Sequence, residues 1–77
     1  MNNSLQVRRI FIGFLIRDHG FEYEDAAAEY DFITAVGVDA YRTASRIGLR
    51  PLGNRAARIS IIHSYENAQN HASFLIG

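Results

Sequence analysis

Residues 54–76 read NRAARISIIHSYENAQNHASFLI, and this stretch decides between two fold classes. Its apolar side chains recur every three or four residues, as on one face of an α-helix: Ala57, Ile61, Tyr65, Ala68, Ala72 and Leu75. Asn54 is a suitable N-cap for such a helix. The alternative is a β-hairpin over 49–62, whose second strand would hold three β-branched isoleucines. The longer pattern favours one long helix.

Two helices are predicted upstream of this stretch. The first covers residues 5–18, with Ser4 as its N-cap and Gly20 at its C-terminal end. The second runs from Glu22 to about residue 33. Its apolar positions share one helical face; they are Tyr23, Ala26, Ala27, Tyr30 and Ile33. The second segment therefore follows the helical period, whereas a strand remains the alternative for the apolar run over 10–16 of the first.

A third, short helix is predicted over residues 39–47, capped by Asp39 and ended by Gly48. A junction over 34–38 precedes it, where Gly37 can adopt a left-handed conformation. A connector over 49–53 follows it, because Pro51 has no backbone donor. The fold class expected is therefore all-α, with residues 1–77 forming a single domain of four helices.

Composition limits the function classes. The chain has 77 residues, 48% of them hydrophobic, and no cysteine, which excludes disulfides and cysteine-based zinc sites. It contains no phosphate-binding glycine loop, nucleophile elbow or HExxH motif, and its three histidines lack the spacing of zinc ligands. We therefore expect no enzyme activity, metal, cofactor or small-molecule substrate. The apolar run 10–16 is shorter than the roughly 20 residues that cross a bilayer. A soluble, cytoplasmic protein without a membrane partner is expected.

The charges are segregated along the chain although they sum to zero. Six acids lie in residues 18–31 with no arginine among them, and five arginines lie in 42–58 with no acid. The basic residues are all arginines, whose planar fork of donors suits phosphates and carboxylates. One segment could therefore face a polyanion and the other a cationic partner.

A helix-turn-helix pattern covers about a third of the chain. Residues 25–30 read DAAAEY and residues 39–51 read DAYRTASRIGLRP. Together they resemble the helix-turn-helix superfamily of DNA-binding domains, in which one helix braces a recognition helix in the major groove. The resemblance implies a small DNA-binding transcriptional regulator, of the kind that phages and mobile elements carry. The hairpin alternative would make the fold a winged helix.

The residues that this resemblance assigns to DNA contact are polar or basic. Those on the exposed face of the third helix are Arg42, Thr43, Ser45 and Arg46, and those extending the contact along the phosphate backbone are Arg50, Arg55 and Arg58. For this function Arg42 and Arg46 must be exposed. Pairing of both with Asp25, Glu29 or Asp31 would use their charge inside the fold.

The alternative function is a small helical protein-interaction module or inhibitor. The chain is rich in aromatic residues and arginine, which are frequent anchors of protein interfaces. The partner protein would bind an acidic and aromatic surface formed by Phe11, Phe14, Glu22, Asp25, Glu29 and Asp31. A homodimer is also expected, because the first helix is apolar on almost every side over 10–16, more than one small core can bury.

Overall fold

A computed structural model describes residues 4–43 and 55–76 of the chain. These residues form four helices and no strand, which confirms the predicted all-α class. The helices are α1 (Ser4–His19), α2 (Tyr23–Val36), α3 (Val38–Thr43) and α4 (Arg55–Ile76). Contacts between α1 and α2, α2 and α3, α3 and α4, and α4 and α1 close them into a ring around one core.

The fourth helix settles the choice between helix and hairpin. α4 runs unbroken through 22 residues from Arg55, so residues 57–62 are helical and the hairpin and winged-helix alternatives are wrong. Ile61, Ala68 and Ala72 are fully buried, as the stripe predicts. The helical period wins because only a helix brings these widely spaced positions to one face against the core, which outweighs the weaker β propensity of three isoleucines. The predicted cap Asn54 lies outside the described residues.

The first helix matches its predicted extent, although Ser4 is its first helical residue rather than its N-cap, and the second helix is longer than predicted. α1 ends at His19, and Gly20 follows it with a φ of +68°. α2 continues to Val36 and α3 begins at Val38, so the junction predicted over 34–38 is too long and is reduced to Gly37. The Thr34 hydroxyl, within that segment, donates a hydrogen bond to the Tyr30 carbonyl at 2.8 Å. This bond accommodates the threonine side chain in the helix.

Gly37 is the one residue between α2 and α3. Its φ is +90°, a conformation that glycine adopts without strain, as predicted. Its N–H donates to the Ile33 carbonyl at 2.9 Å, and its own carbonyl accepts from the Tyr41 N–H at 2.9 Å. α3 therefore begins at Val38, and Asp39 lies in its first turn rather than at its N-cap. The predicted end of this helix at residue 47 lies outside the described residues.

An aromatic cluster joins three of the helices at the centre of the core. The ring of Phe11 on α1 lies 5.7 Å from both Tyr30 on α2 and Tyr65 on α4, centroid to centroid. Offset and edge-to-face ring pairs of this kind add about 0.5–1.5 kcal/mol beyond their burial. The Tyr30 hydroxyl also donates to the Ser4 carbonyl at 3.3 Å, which ties α2 to the start of α1. These contacts orient α1 and therefore decide which of its sides remains exposed.

Candidate interaction surfaces

The side chain of Arg42 lies partly exposed on α3. Its side chain is 40% exposed, and Nη1 donates to Oδ1 of Asp39 at 3.2 Å. Asp39 is itself fully exposed, so solvent screens this ion pair and the pair contributes little stability. Within the described residues Arg42 makes no ion pair with the acids of α2. Arg42 is of intermediate burial, and Arg46 lies outside the described residues, so their contact with DNA stays a prediction.

Arg58 lies beside Arg42 at the contact between α3 and α4. Its Nε donates to the Arg42 carbonyl at 3.1 Å, and the residue is half-buried. One of its donors therefore holds the two helices together. Thr43 ends α3 and Arg55 begins α4, but their side chains are not among those that the structure describes. Ser45 and Arg50 lie outside the described residues. Of the predicted DNA contacts, the structure brings together Arg42 and Arg58.

Two of the residues predicted for protein interaction lie inside the fold. Phe11 is fully buried, and Glu29 is only 1% exposed and accepts a hydrogen bond from the Tyr41 hydroxyl. Neither can contact a partner in this structure, so this part of the predicted surface is wrong. A buried carboxylate requires hydrogen-bond donors, and Tyr41 supplies one from α3. Tyr41 lies 12 residues after Glu29 and on another helix, so the sequence pattern of α2 could not identify it as the partner of Glu29.

The other residues of that predicted surface do not form one patch. Phe14 is half-buried, with the Arg17 guanidinium 5.1 Å from its ring centroid and His71 of α4 6.1 Å away. Glu22 is exposed at the N-cap of α2, Asp31 is exposed in its second half, and Asp25 is half-buried in its first turn. The helix dipole favours acids in that first turn. The acidic segment is therefore spread over α2.

A groove on the α1–α2 side was not predicted. Its volume is about 240 Å³, and it is lined by Leu5, Arg8, Arg9, Ile12 and Tyr23. Leu5 and Tyr23 are 65% and 58% exposed, so the prediction that Tyr23 belongs to the core stripe is wrong. Tyr23 is the first residue of α2, and its side chain lines the groove next to residues of α1 instead of packing into the core. The only sequence signal was the apolar excess of the first helix.

The two arginines of this groove make no ion pair within the described residues. Arg8 lies close enough to Tyr30 to favour the ionised phenol slightly, but burial dominates and raises the pKa of Tyr30 above its ordinary value of 10.0. At the other end of α1, Arg17 donates to both oxygens of Asp18, at 2.7 and 2.9 Å. This hydrogen bonding lowers the pKa of the Asp18 carboxyl. The charge of Arg17 is thus balanced by Asp18, whereas Arg8 and Arg9 have no ion-pair partner within the described residues.

Residues 4–43 and 55–76 offer neither a metal site nor a membrane-spanning helix. They contain no group of three histidine, aspartate or glutamate side chains close enough to hold a metal ion. None of the helices described is both long enough and apolar enough to cross a membrane. No protein-family model, no curated protein and no solved structure matches the chain.

Proposed function

We propose that the chain is a small helical protein-interaction module that binds a partner protein through its α1–α2 face. This face consists of Leu5, Arg9, Ile12, Ile16 and Tyr23. One observation carries the proposal: of the four large apolar side chains exposed within the described residues, Leu5, Ile16 and Tyr23 lie on this face. Clustered exposed apolar groups mark interaction sites more often than scattered ones do.

The face has the composition of a protein-binding surface. Leu5 and Ile16 lie on one side of α1, about 16 Å apart, and Ile12 between them is only 4% exposed and lines the groove from within the core. Tyr23 and Arg9 stand beside them around the groove. Tyrosine and arginine are the side chains that most often anchor protein interfaces, and a concave apolar centre with a charged rim is the usual arrangement.

Site-specific photo-crosslinking tests this proposal in cells that carry the chain. A photoreactive phenylalanine analogue replaces Tyr23, and the matched control places it at Ala28, which is exposed on another side of α2. We expect a discrete crosslinked protein from position 23 that disappears when Leu5→Asp is added. Equal products from both positions, or none from position 23, would contradict the proposal.

DNA binding is the second candidate function. The observation that favours it is the pair Arg42 and Arg58, which lie together where α3 meets α4, with the Arg42 guanidinium paired to the exposed carboxylate of Asp39. A fluorescence anisotropy titration on mixed-sequence duplex tests it. Three to five phosphate contacts would give a slope of log affinity against log salt of roughly −3 to −4.5. Absence of binding at tens of micromolar protein and about 50 mM salt would refute this candidate.

A further inference from the structure

We propose that the partner protein fills the groove on the α1–α2 side with an acidic segment, in which one apolar side chain enters the groove and carboxylates beside it bind Arg8 and Arg9. The inference rests on the proposed function and states the chemistry of its partner. The groove is the one lined by Leu5, Arg8, Arg9, Ile12 and Tyr23. Its charge and its apolar lining each restrict what can occupy it.

The two arginines of the groove are cations that the described part of the chain leaves unpaired. All eight acidic side chains lie within residues 4–43 and 55–76, yet none of them forms an ion pair there with Arg8 or Arg9. Arg8 and Asp31 both lie near the Tyr30 phenol and act on its ionisation with opposite signs, but the two do not pair. The positive charge of the groove is therefore available to a partner.

Covering the groove removes water from both guanidinium groups, so the charge of the partner decides whether it binds. Arg8 is already half-buried, and Arg9 beside it in the sequence is exposed. A cation that loses water without gaining an acceptor is strongly unfavourable. A carboxylate matches the planar guanidinium with its two oxygens and offsets this loss. A neutral or basic segment would instead cover both arginines without supplying an acceptor.

The apolar lining of the groove favours a peptide segment over other anions. Leu5 and Tyr23 are 65% and 58% exposed, and Ile12 lines the groove from within the core. A nucleic-acid backbone would pair with the arginines but leave Leu5 in water, whereas an apolar side chain covers it. The volume of about 240 Å³ lies below the roughly 300–1,000 Å³ of small-molecule pockets, so the groove suits peptide side chains better than a metabolite.

Acids of α2 limit how much negative charge the partner can carry. Glu22 and Glu24 are exposed on either side of Tyr23 in the sequence. Like charges that are brought together at an interface cost affinity. We therefore expect the carboxylates of the partner over the α1 side of the groove, with the apolar side chain towards Tyr23. A short segment that places acids next to one apolar residue fits this arrangement, and a long run of acids does not.

A random heptapeptide library displayed on phage is the probe for this chemistry, selected on the full chain. We expect the enriched sequences to hold aspartate or glutamate next to an apolar residue. In the double variant Arg8→Glu with Arg9→Glu, the preference should change from acidic to basic sequences, because like charges then face the original ligands. The matched control is Arg17→Glu, since Arg17 pairs with Asp18 and does not line the groove. It should leave the preference acidic, and damage to the fold could abolish selection but not reverse its sign.

A fluorescein-labelled peptide of the most enriched sequence then gives dissociation constants by fluorescence anisotropy. Arg9→Glu and Leu5→Asp should each raise the dissociation constant at least about tenfold, because the first removes an ion pair and the second an apolar contact. Val36→Asp is the matched control for Leu5→Asp, since Val36 is 40% exposed at the far end of α2. It should leave the dissociation constant unchanged. An excess of mixed-sequence duplex DNA should not displace the peptide.

The outcomes distinguish this inference from the proposed function. Enrichment of basic or uncharged sequences, no enrichment at all, or displacement of the peptide by duplex DNA overturns the acidic segment as the occupant. A crosslink from position 23 to a product of twice the chain mass overturns it too, because the occupant is then a second copy. In each of these cases a crosslink from position 23 that Leu5→Asp removes still supports the proposed function. Acidic enrichment that Leu5→Asp abolishes supports both, and the absence of any enrichment and of any crosslink refutes both.

Discussion

The buried hydrogen bond from Tyr41 to Glu29 is expected to hold α3 against α2, and Tyr41→Phe removes it. Both residues are almost fully excluded from water. A hydrogen bond to a charged group contributes about 1.5–3 kcal/mol, and the buried acceptor that loses this donor keeps its desolvation cost. We therefore expect Tyr41→Phe to lower the free energy of unfolding by about 1.5–3 kcal/mol. That is a large share of the roughly 5 kcal/mol available to a small domain.

Urea unfolding followed by far-ultraviolet circular dichroism measures this loss. With a denaturant slope of about 1 kcal/mol/M for so small a domain, the midpoint should fall by roughly 1.5–3 M. Tyr23→Phe is the matched control, because it removes a hydroxyl from a side chain that is more than half exposed. It should change stability by no more than about 0.5 kcal/mol. All variants are compared at one protein concentration, since self-association would shift the midpoint.

The reasoning fails if Tyr41→Phe costs no more than Tyr23→Phe. A double-variant cycle makes the test stricter. Glu29→Leu alone should be destabilising, because it leaves the Tyr41 hydroxyl buried without this acceptor. Combined with Tyr41→Phe it should cost less than the two single losses added together, because both polar groups are then gone. Simple additivity would show that the two side chains are not coupled.

Three further predictions concern other contacts of the fold. Arg58→Met should cost about 0.5–1.5 kcal/mol and speed amide exchange in α3, because it removes the hydrogen bond to the Arg42 carbonyl; exchange rates equal to wild type would contradict this. In thermal unfolding at low protein concentration, Gly13→Ala should stabilise the fold by about 0.5–1 kcal/mol, because open space surrounds Gly13. Gly20→Ala should destabilise the fold by about 1 kcal/mol, because the φ of Gly20 is +68°. Shifts of the melting temperature in the same direction for both variants would contradict these two expectations. Burial raises the pKa of Tyr30 above 10.0, so its contribution to stability should be complete below about pH 10 and decline as the pH rises through the folded-state pKa. An ultraviolet absorbance titration should show a late phenol ionisation that Tyr30→Phe removes, and a titration unchanged by that substitution would refute the assignment.

The amino-acid sequence by itself determined the helices and several of their ends. The first helix is predicted over 5–18 and runs over Ser4–His19, and the stripe through Ile61, Ala68 and Ala72 correctly identifies a buried face of α4. Gly37 takes the positive φ expected of it. These features are predictable because helical hydrogen bonds join residues four apart, and because the conformational freedom of glycine is a local property.

The tertiary structure alone decided which side of each helix is exposed. The first helix is apolar on nearly every side, so its sequence could not tell that Phe11 faces the core while Ile16 faces solvent. The burial of Glu29 depends on a hydroxyl that Tyr41 brings from another helix, and the exposure of Tyr23 depends on where α2 begins relative to α1. Burial is a relation between elements distant in sequence, and the periodicity of one helix contains no information about the position of its neighbours. For that reason the sequence specified four helices, but only their packing created the α1–α2 face.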